Sequence, residues 1–281
     1  MTSYLYPYTQ ESINLNDKNK DDYTLTIQYY LDGLSFVVFD NVEQKFVSLK
    51  HYHYSTKDVD IQNIIAELQE KESWKLEEFR NVNIVIDNNS NTLIPKVFFK
   101  EEQKETYLSM LNINNKAYIL TDEIPECEAV NIFSYKDKLD FLNNNVKIYH
   151  SSTVLIKKLI REFSDRNNET RAFINVKNNS YELIILNNDK LIFHNYFNFK
   201  TKEDFIYFIL FTFDQLNIDN ESIPLYFTGF IEEKSPIVEL CARYIRNIRF
   251  FNRDNSFNYI NELNSIPYYY YYTLYSFISC E

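Results

Sequence analysis

The chain is 281 residues long, 45% hydrophobic and 25% charged, ordinary proportions for a soluble globular protein able to bury a sizeable core. Its formal charge of −11 and pI near 5.0 argue against broad binding to nucleic acid or an anionic membrane, both of which need a basic face. It holds two glycines, Gly33 and Gly229, where average usage of roughly 7% would supply about 20, and that scarcity argues against a glycine-loop nucleotide enzyme.

Residues 1–22 read as a flexible tail with a polar run from Asn16 to Lys20 and no signal-peptide pattern. Structure then begins abruptly. Leu25, Ile27 and Tyr29 alternate with polar neighbours, Asp32-Gly33 predicts a tight turn with positive φ, and Leu34 to Phe39 continues as a returning strand. A third strand is expected over Lys45–Tyr54. The pattern from Asp58 to Glu72 predicts a helix with Ile61, Ile64, Ile65 and Leu68 on one face, capped by Asp58 or Asp60. Val82 to Ile86 reads as a buried strand closing the unit. Next come a helix over Glu101–Leu111, strands near Lys116–Thr121 and Val130–Tyr135, and a helix over Lys136–Leu142. A strand at Lys147–His150 leads into an amphipathic helix from Ser152 to Phe163. Ser164 to Thr170 is polar and marks the best domain boundary.

The same order then recurs. Strands are expected at Arg171–Val176, Tyr181–Leu186 and Lys190–Phe199, separated by asparagine-rich turns that replace glycine where positive φ is needed. Thr201 begins a capping box with Asp204, opening a helix from Glu203 to Leu216. That helix is apolar nearly all round, which predicts an interior position between layers. A strand at Leu225–Thr228, a helix from Pro236 to Ile245 and a strand near Ile248–Phe251 follow. The most apolar run, Phe205 to Phe213, is about half a membrane span. Cys127, Cys241 and Cys280 are odd in number and lack CxxC spacing, as in a reducing cytoplasm. A cytoplasmic protein without a membrane segment is expected.

Strand–strand–strand–helix–strand thus occurs twice, near 24–87 and 171–229. With the Leu31-Asp32-Gly33-Leu34-Ser35-Phe36 turn, the Ile148-Tyr149-His150-Ser151-Ser152 segment and the stretch from Arg171 to Phe251, the chain resembles the actin-like ATPase fold of actin, Hsp70 and sugar kinases. It is similar in particular to pilus-assembly members, and most of all to a Bacteroidetes family, the domain-of-unknown-function family 3822. The resemblance implies an α/β, duplicated actin-like (ribonuclease H-like) fold, two halves each with a mixed sheet flanked by helices. The halves would be 23–165, with an inserted subdomain about 92–145, and 166–281, with a tyrosine-rich end.

Active members of that class carry an acid and glycines in each strand turn. The acid organises Mg²⁺ and water, and bare backbone N–H groups wrap phosphates. Here the second turn reads Asn175-Val176-Lys177-Asn178-Asn179, with Asn175 at the acid position and Lys177 and Asn178 at glycine positions. The first turn keeps Asp32 and Gly33, and Gly229 stands where the fold would face adenosine. These residues read as vestiges of a nucleotide cleft, with no catalytic residue, cofactor or metal assigned.

Other candidates have plainer explanations. His51 and His53 share a strand face and could hold zinc, but no cysteine or acidic cluster stands near them, so two polar strand residues are the better account. His150 with Ser151 and Ser152 lacks a nucleophile elbow, and a serine capping the next helix suffices. His194 has no obvious partner, and turn chemistry accounts for Asp32 and Asp40. Arg243, Arg246, Arg249 and Arg253 form a basic stripe only if one helix carries them all. Tyr268, Tyr269, Tyr270, Tyr271 and Tyr272 read either as an edge strand or final helix packed on the body, or as an exposed aromatic surface for a protein partner, with Arg243 and Arg246 beside it. The function expected is a catalytically inactive actin-like binding or scaffold module, the alternative being a divergent ATP-binding protein or phosphotransferase using Asp32.

Overall fold

The computed structural model describes residues 19–53, 61–109, 118–136, 145–164 and 169–279. The expected helix caps Asp58 and Asp60, almost all of the Lys136–Leu142 helix, and Cys280 lie outside the described residues. Contacts divide the chain into two units, Met1–Leu155 with Asn255–Ile266 and Leu274–Glu281, and Ile156–Asp254 with Pro267–Thr273.

The first unit opens with antiparallel β1 (Tyr23–Tyr30) and β2 (Gly33–Asp40), joined through Leu31 and Asp32. Gly33 corrects the sequence expectation. It is the first residue of β2 and does not take a positive φ. Its missing side chain is explained by β3 (Lys45–His53), because a Cβ on Gly33 would run into the carbonyl oxygen of Tyr52. α1 (Ile61–Glu72) buries Ile61, Ile64, Ile65 and Leu68, the i, i+3, i+4, i+7 stripe expected of it. Trp74 beyond it meets Phe36 edge-on at 5.8 Å and Phe79 at 5.2 Å. β4 (Asn81–Ile86) then returns parallel to β1, with Ile27 opposite Ile84.

Next come β5 (Asn91–Pro95), α2 (Lys104–Ser109), β6 (Tyr118–Ile124) and β7 (Ala129–Tyr135). They make a separate antiparallel sheet in the order β5-β7-β6, with Leu108, Val130 and Ile132 at its centre. β8 (Val146–His150) adds to β4 in parallel, and α3 (Ser151–Phe163) follows without a break.

In the second unit β9 (Thr170–Val176), β10 (Ser180–Asn187) and β11 (Lys190–Asn198) form a meander. Asn188 supplies a positive φ of 56° between β10 and β11, and Asn217 supplies 53° after the next helix, the use of asparagine foreseen for a glycine-poor chain. Gln44, Ser73 and Glu128 also take positive φ. α4 (Lys202–Gln215) starts with the expected capping box, in which Asp204 N–H donates to Thr201 Oγ1 at 3.0 Å and Thr201 N–H donates to Asp204 Oδ2 at 3.1 Å. Phe205, Ile206, Ile209 and Phe213 face the sheet. Contrary to the interior position expected, the opposite side of α4 is open, with Tyr207 and Phe211 exposed. β12 (Pro224–Gly229) runs parallel to β9, α5 (Pro236–Cys241) ends four residues short of Ile245, and β13 (Asn247–Phe250) completes the order β11-β10-β9-β12-β13.

The chain then contributes β14 (Asn258–Tyr259) beside β3, giving a six-stranded sheet in the order β14-β3-β2-β1-β4-β8. Tyr268–Tyr271 form a short 3₁₀ turn leading into α6 (Tyr272–Ser276). Each unit therefore repeats strand, strand, strand, helix, strand. No helix among the described residues is long and apolar enough to cross a membrane.

Candidate functional site

Strand alternation on β9 sends Ala172, Ile174 and Val176 into the core beneath α4, and Phe173 and Asn175 to the opposite face. Asn175 is buried there, and its Nδ2 donates to Glu182 Oε2 at 3.2 Å across the β9–β10 register. Glu182 has no exposed surface, and Oε1 meets His194 Nε2 at 2.9 Å and the Tyr196 hydroxyl at 3.3 Å. His194 thus has the partner that its sequence context did not reveal. The ammonium of Lys177 lies 4.7 Å from the centre of the Tyr196 ring, a cation–π contact. Asn178 and Asn179 stand exposed at the tip of a turn closed by Lys177 N–H donating to Ser180 O at 2.8 Å.

Gly229 ends β12 beside Val176, with φ of +82°. A Cβ there would collide with the Val176 carbonyl oxygen and stand 2.7 Å from Asn175 Oδ1. This glycine answers to backbone crowding as well as to left-handed geometry.

In the first unit Asp32 is half-buried at the β1–β2 turn. The register counterpart of Asn175 is another residue, Gln28. Gln28 lies opposite Ser35, as Asn175 lies opposite Glu182. It too is a buried amide donating to a buried carboxylate, with Nε2 2.7 Å from Asp87 Oδ2. The Ser151 hydroxyl donates to the other oxygen of Asp87 at 2.9 Å. Gln28, Asp87 and Glu182 escaped the sequence reading, and Ser151 was read there only as a helix cap. Two signals were available: an acid straight after the buried run Ile84-Val85-Ile86, and an acid between Tyr181 and Leu183 inside a strand.

The remaining candidates resolve differently. His51 Nδ1 meets the Ser35 hydroxyl at 2.8 Å, and burial, with a smaller contribution from His53, pushes its pKa down to about 4. Among the described residues no group of three or more His, Cys, Asp or Glu side chains could hold a metal ion. His150 is buried, and its Nδ1 accepts from Ser152 N–H at 3.2 Å. Asp40 serves its turn, its Oδ1 accepting from the N–H groups of Val42 and Glu43 at 2.9 Å each. Burial pushes the Cys241 thiol up to about 12 and the Cys127 thiol up to about 11, so neither is an activated nucleophile.

Arg243 and Arg246 are exposed in the loop after α5, and Arg246 stands 3.9 Å from exposed Glu221. Arg249 lies on β13 and donates to the Tyr226 hydroxyl at 2.9 Å, so the basic residues do not share one helix. Tyr268 to Tyr272 are all buried, which corrects the exposed aromatic surface. The Tyr272 ring stacks on Phe251 at 4.0 Å and its hydroxyl donates to Glu162 Oε2 at 2.7 Å, while Thr228 Oγ1 donates to the Tyr269 carbonyl at 2.6 Å. Hydroxyls at the rim of packed rings find acceptors, which is how tyrosines become buried together.

Two mixed sheets of repeated topology define a protein of the actin-like ATPase fold. A crystal structure of a Bacteroides thetaiotaomicron protein with actin-like ATPase fold and unknown function is similar over 93% of this chain and 97% of that one, with a TM-score of 0.76 and 21% identity. A chain of the PilM-PilN type IV pilus biogenesis complex is similar over 92% of this chain and 98% of that one, with a TM-score of 0.57 and 10% identity. The chain belongs to the family described as Protein of unknown function (DUF3822), whose model matches residues 12–248. No curated protein matches it.

Proposed function

We propose that this chain is a non-hydrolysing protein of the actin-like fold, working in the cytoplasm as a binding or scaffold module for another protein. The observation that supports it is the commitment of Asn175 to Glu182. A Mg²⁺–water site needs an acid with lone pairs directed outward. Position 175 offers a neutral amide whose donor is spent on a buried carboxylate. Lys177 occupies an expected glycine position, and its ammonium lies over Tyr196. In this account Asp32, Gly33, Asn175, Lys177, Asn178 and Gly229 are remnants of a nucleotide site. Two of them have structural reasons to persist, since Gly33 and Gly229 both sit where a Cβ would strike a neighbouring strand. The fold is compatible with a role in an assembly, as in the PilM-PilN complex.

Calorimetric titration of the full chain with ATP and Mg²⁺ tests this reading. The expected result is no binding heat through the millimolar range and no release of phosphate. Micromolar affinity, or turnover abolished by Asp32→Ala, would overturn it in favour of a divergent ATP-binding protein or phosphotransferase.

A further inference from the structure

α4 presents a mismatch between its sequence and its surroundings. A helix apolar nearly all round is normally covered on both sides. The sheet covers Phe205, Ile209 and Phe213, yet Tyr207 is 59% exposed and Phe211 is 50% exposed on the other side. Their rings lie nearly parallel, 18° apart with centroids at 6.0 Å, as one stacked aromatic pair. Glu203 and Asp214, both exposed, flank that pair along the helix, and Lys202 in the first position is the only basic residue of the helix.

The spacing puts these four residues on one side of the helix, since 203, 207, 211 and 214 recur at intervals of three and four. We propose that this face docks an amphipathic segment of a partner protein, with an apolar centre and basic residues at its ends. Charge decides the occupant. A second copy would bring acid against acid at the ends of the contact, Glu203 against Asp214 if antiparallel and Glu203 against Glu203 if parallel, and like charges at an interface oppose association. A segment carrying Lys or Arg on both flanks meets the acids, and its apolar centre covers the two rings, which are of the type enriched at binding hot spots. The inference rests on the chain being a binding module, and it supplies the chemistry of the partner.

The test uses the full chain and two labelled helical peptides of the same length as α4, 14 residues. Both carry one Leu/Phe stripe, flanked by Lys in one peptide and by Glu in the other. Fluorescence anisotropy should show the Lys-flanked peptide binding at least about tenfold tighter, a difference of about 1.4 kcal/mol. Phe211→Ser with Tyr207→Ser should remove that binding, and Glu203→Lys with Asp214→Lys should reverse the preference. Both pairs lie on the exposed side, and unchanged thermal melts would establish that the variants remain folded. Equal binding of the two peptides, binding by neither, or binding indifferent to Tyr207 and Phe211 would overturn the proposal. So would sedimentation showing a dimer that Phe211→Ser dissociates, since the occupant would then be a second copy. The nucleotide titration is independent of this face. ATP binding with selective peptide docking would overturn only the non-hydrolysing reading, and the converse result would overturn only the docking face.

Discussion

Asn175 Nδ2 donates to Glu182 Oε2 at 3.2 Å, and the accepting carboxylate has no contact with solvent. The first unit repeats the relationship with Gln28 and Asp87, amide to buried carboxylate at 2.7 Å. In both units a strand amide is turned onto a buried internal acid.

Restoring the acid at 175 should therefore be costly. Asn175→Asp would set two carboxyl groups about as close as the present 3.2 Å contact, so one must hold a proton and the Tyr196 and His194 contacts must readjust. A loss of about 2–4 kcal/mol is expected from urea melts at neutral pH. Adding Glu182→Gln should recover most of it, because an amide can then donate to the new carboxylate. A double variant no more stable than Asn175→Asp alone would refute the coupling.

Gly229→Ala should destabilise the chain by about 2–4 kcal/mol. The new Cβ would meet Val176 O and Asn175 Oδ1 while the residue keeps a φ of +82°. Two mechanisms act together at this position, backbone strain and strand crowding. A thermal melt within a degree of the parent chain would contradict both.

His51 should make stability depend on mild acid. Burial, aided by His53, lowers its pKa from 6.5 to about 4 in the folded chain. The unfolded chain thus takes up the proton first, and stability present above pH 6.5 is lost progressively as pH falls towards 4. His51→Gln should flatten the dependence of melting temperature on pH across that window. Parallel curves for the two chains would show that His51 is not the group responsible.

The doubled topology was legible because it is written in short-range signals. Ile61, Ile64, Ile65 and Leu68 announce α1 by helical spacing, and Thr201 with Asp204 announces the start of α4. The candidate site was legible only in part. Asn175 was found through the resemblance, as the residue at the fold's acid position, but Gln28 was passed over for Asp32, which merely stands at the tip of its hairpin. Register, and not proximity to the turn, makes Gln28 the counterpart of Asn175.

Local pattern by itself determined the strands, the helices, their repeated order and the scarcity of glycine that argues against a phosphate-wrapping loop. Tertiary structure decided what the polar residues touch. Gln28 and Asp87 are 59 residues apart, Ser151 is 64 from Asp87, and Thr228 reaches a carbonyl 41 residues on. It also buried the five tyrosines and left Tyr207 and Phe211 uncovered. Periodicity states which side of an element is apolar, whereas burial depends on what distant chain arrives to cover that side, and no short window of sequence contains it.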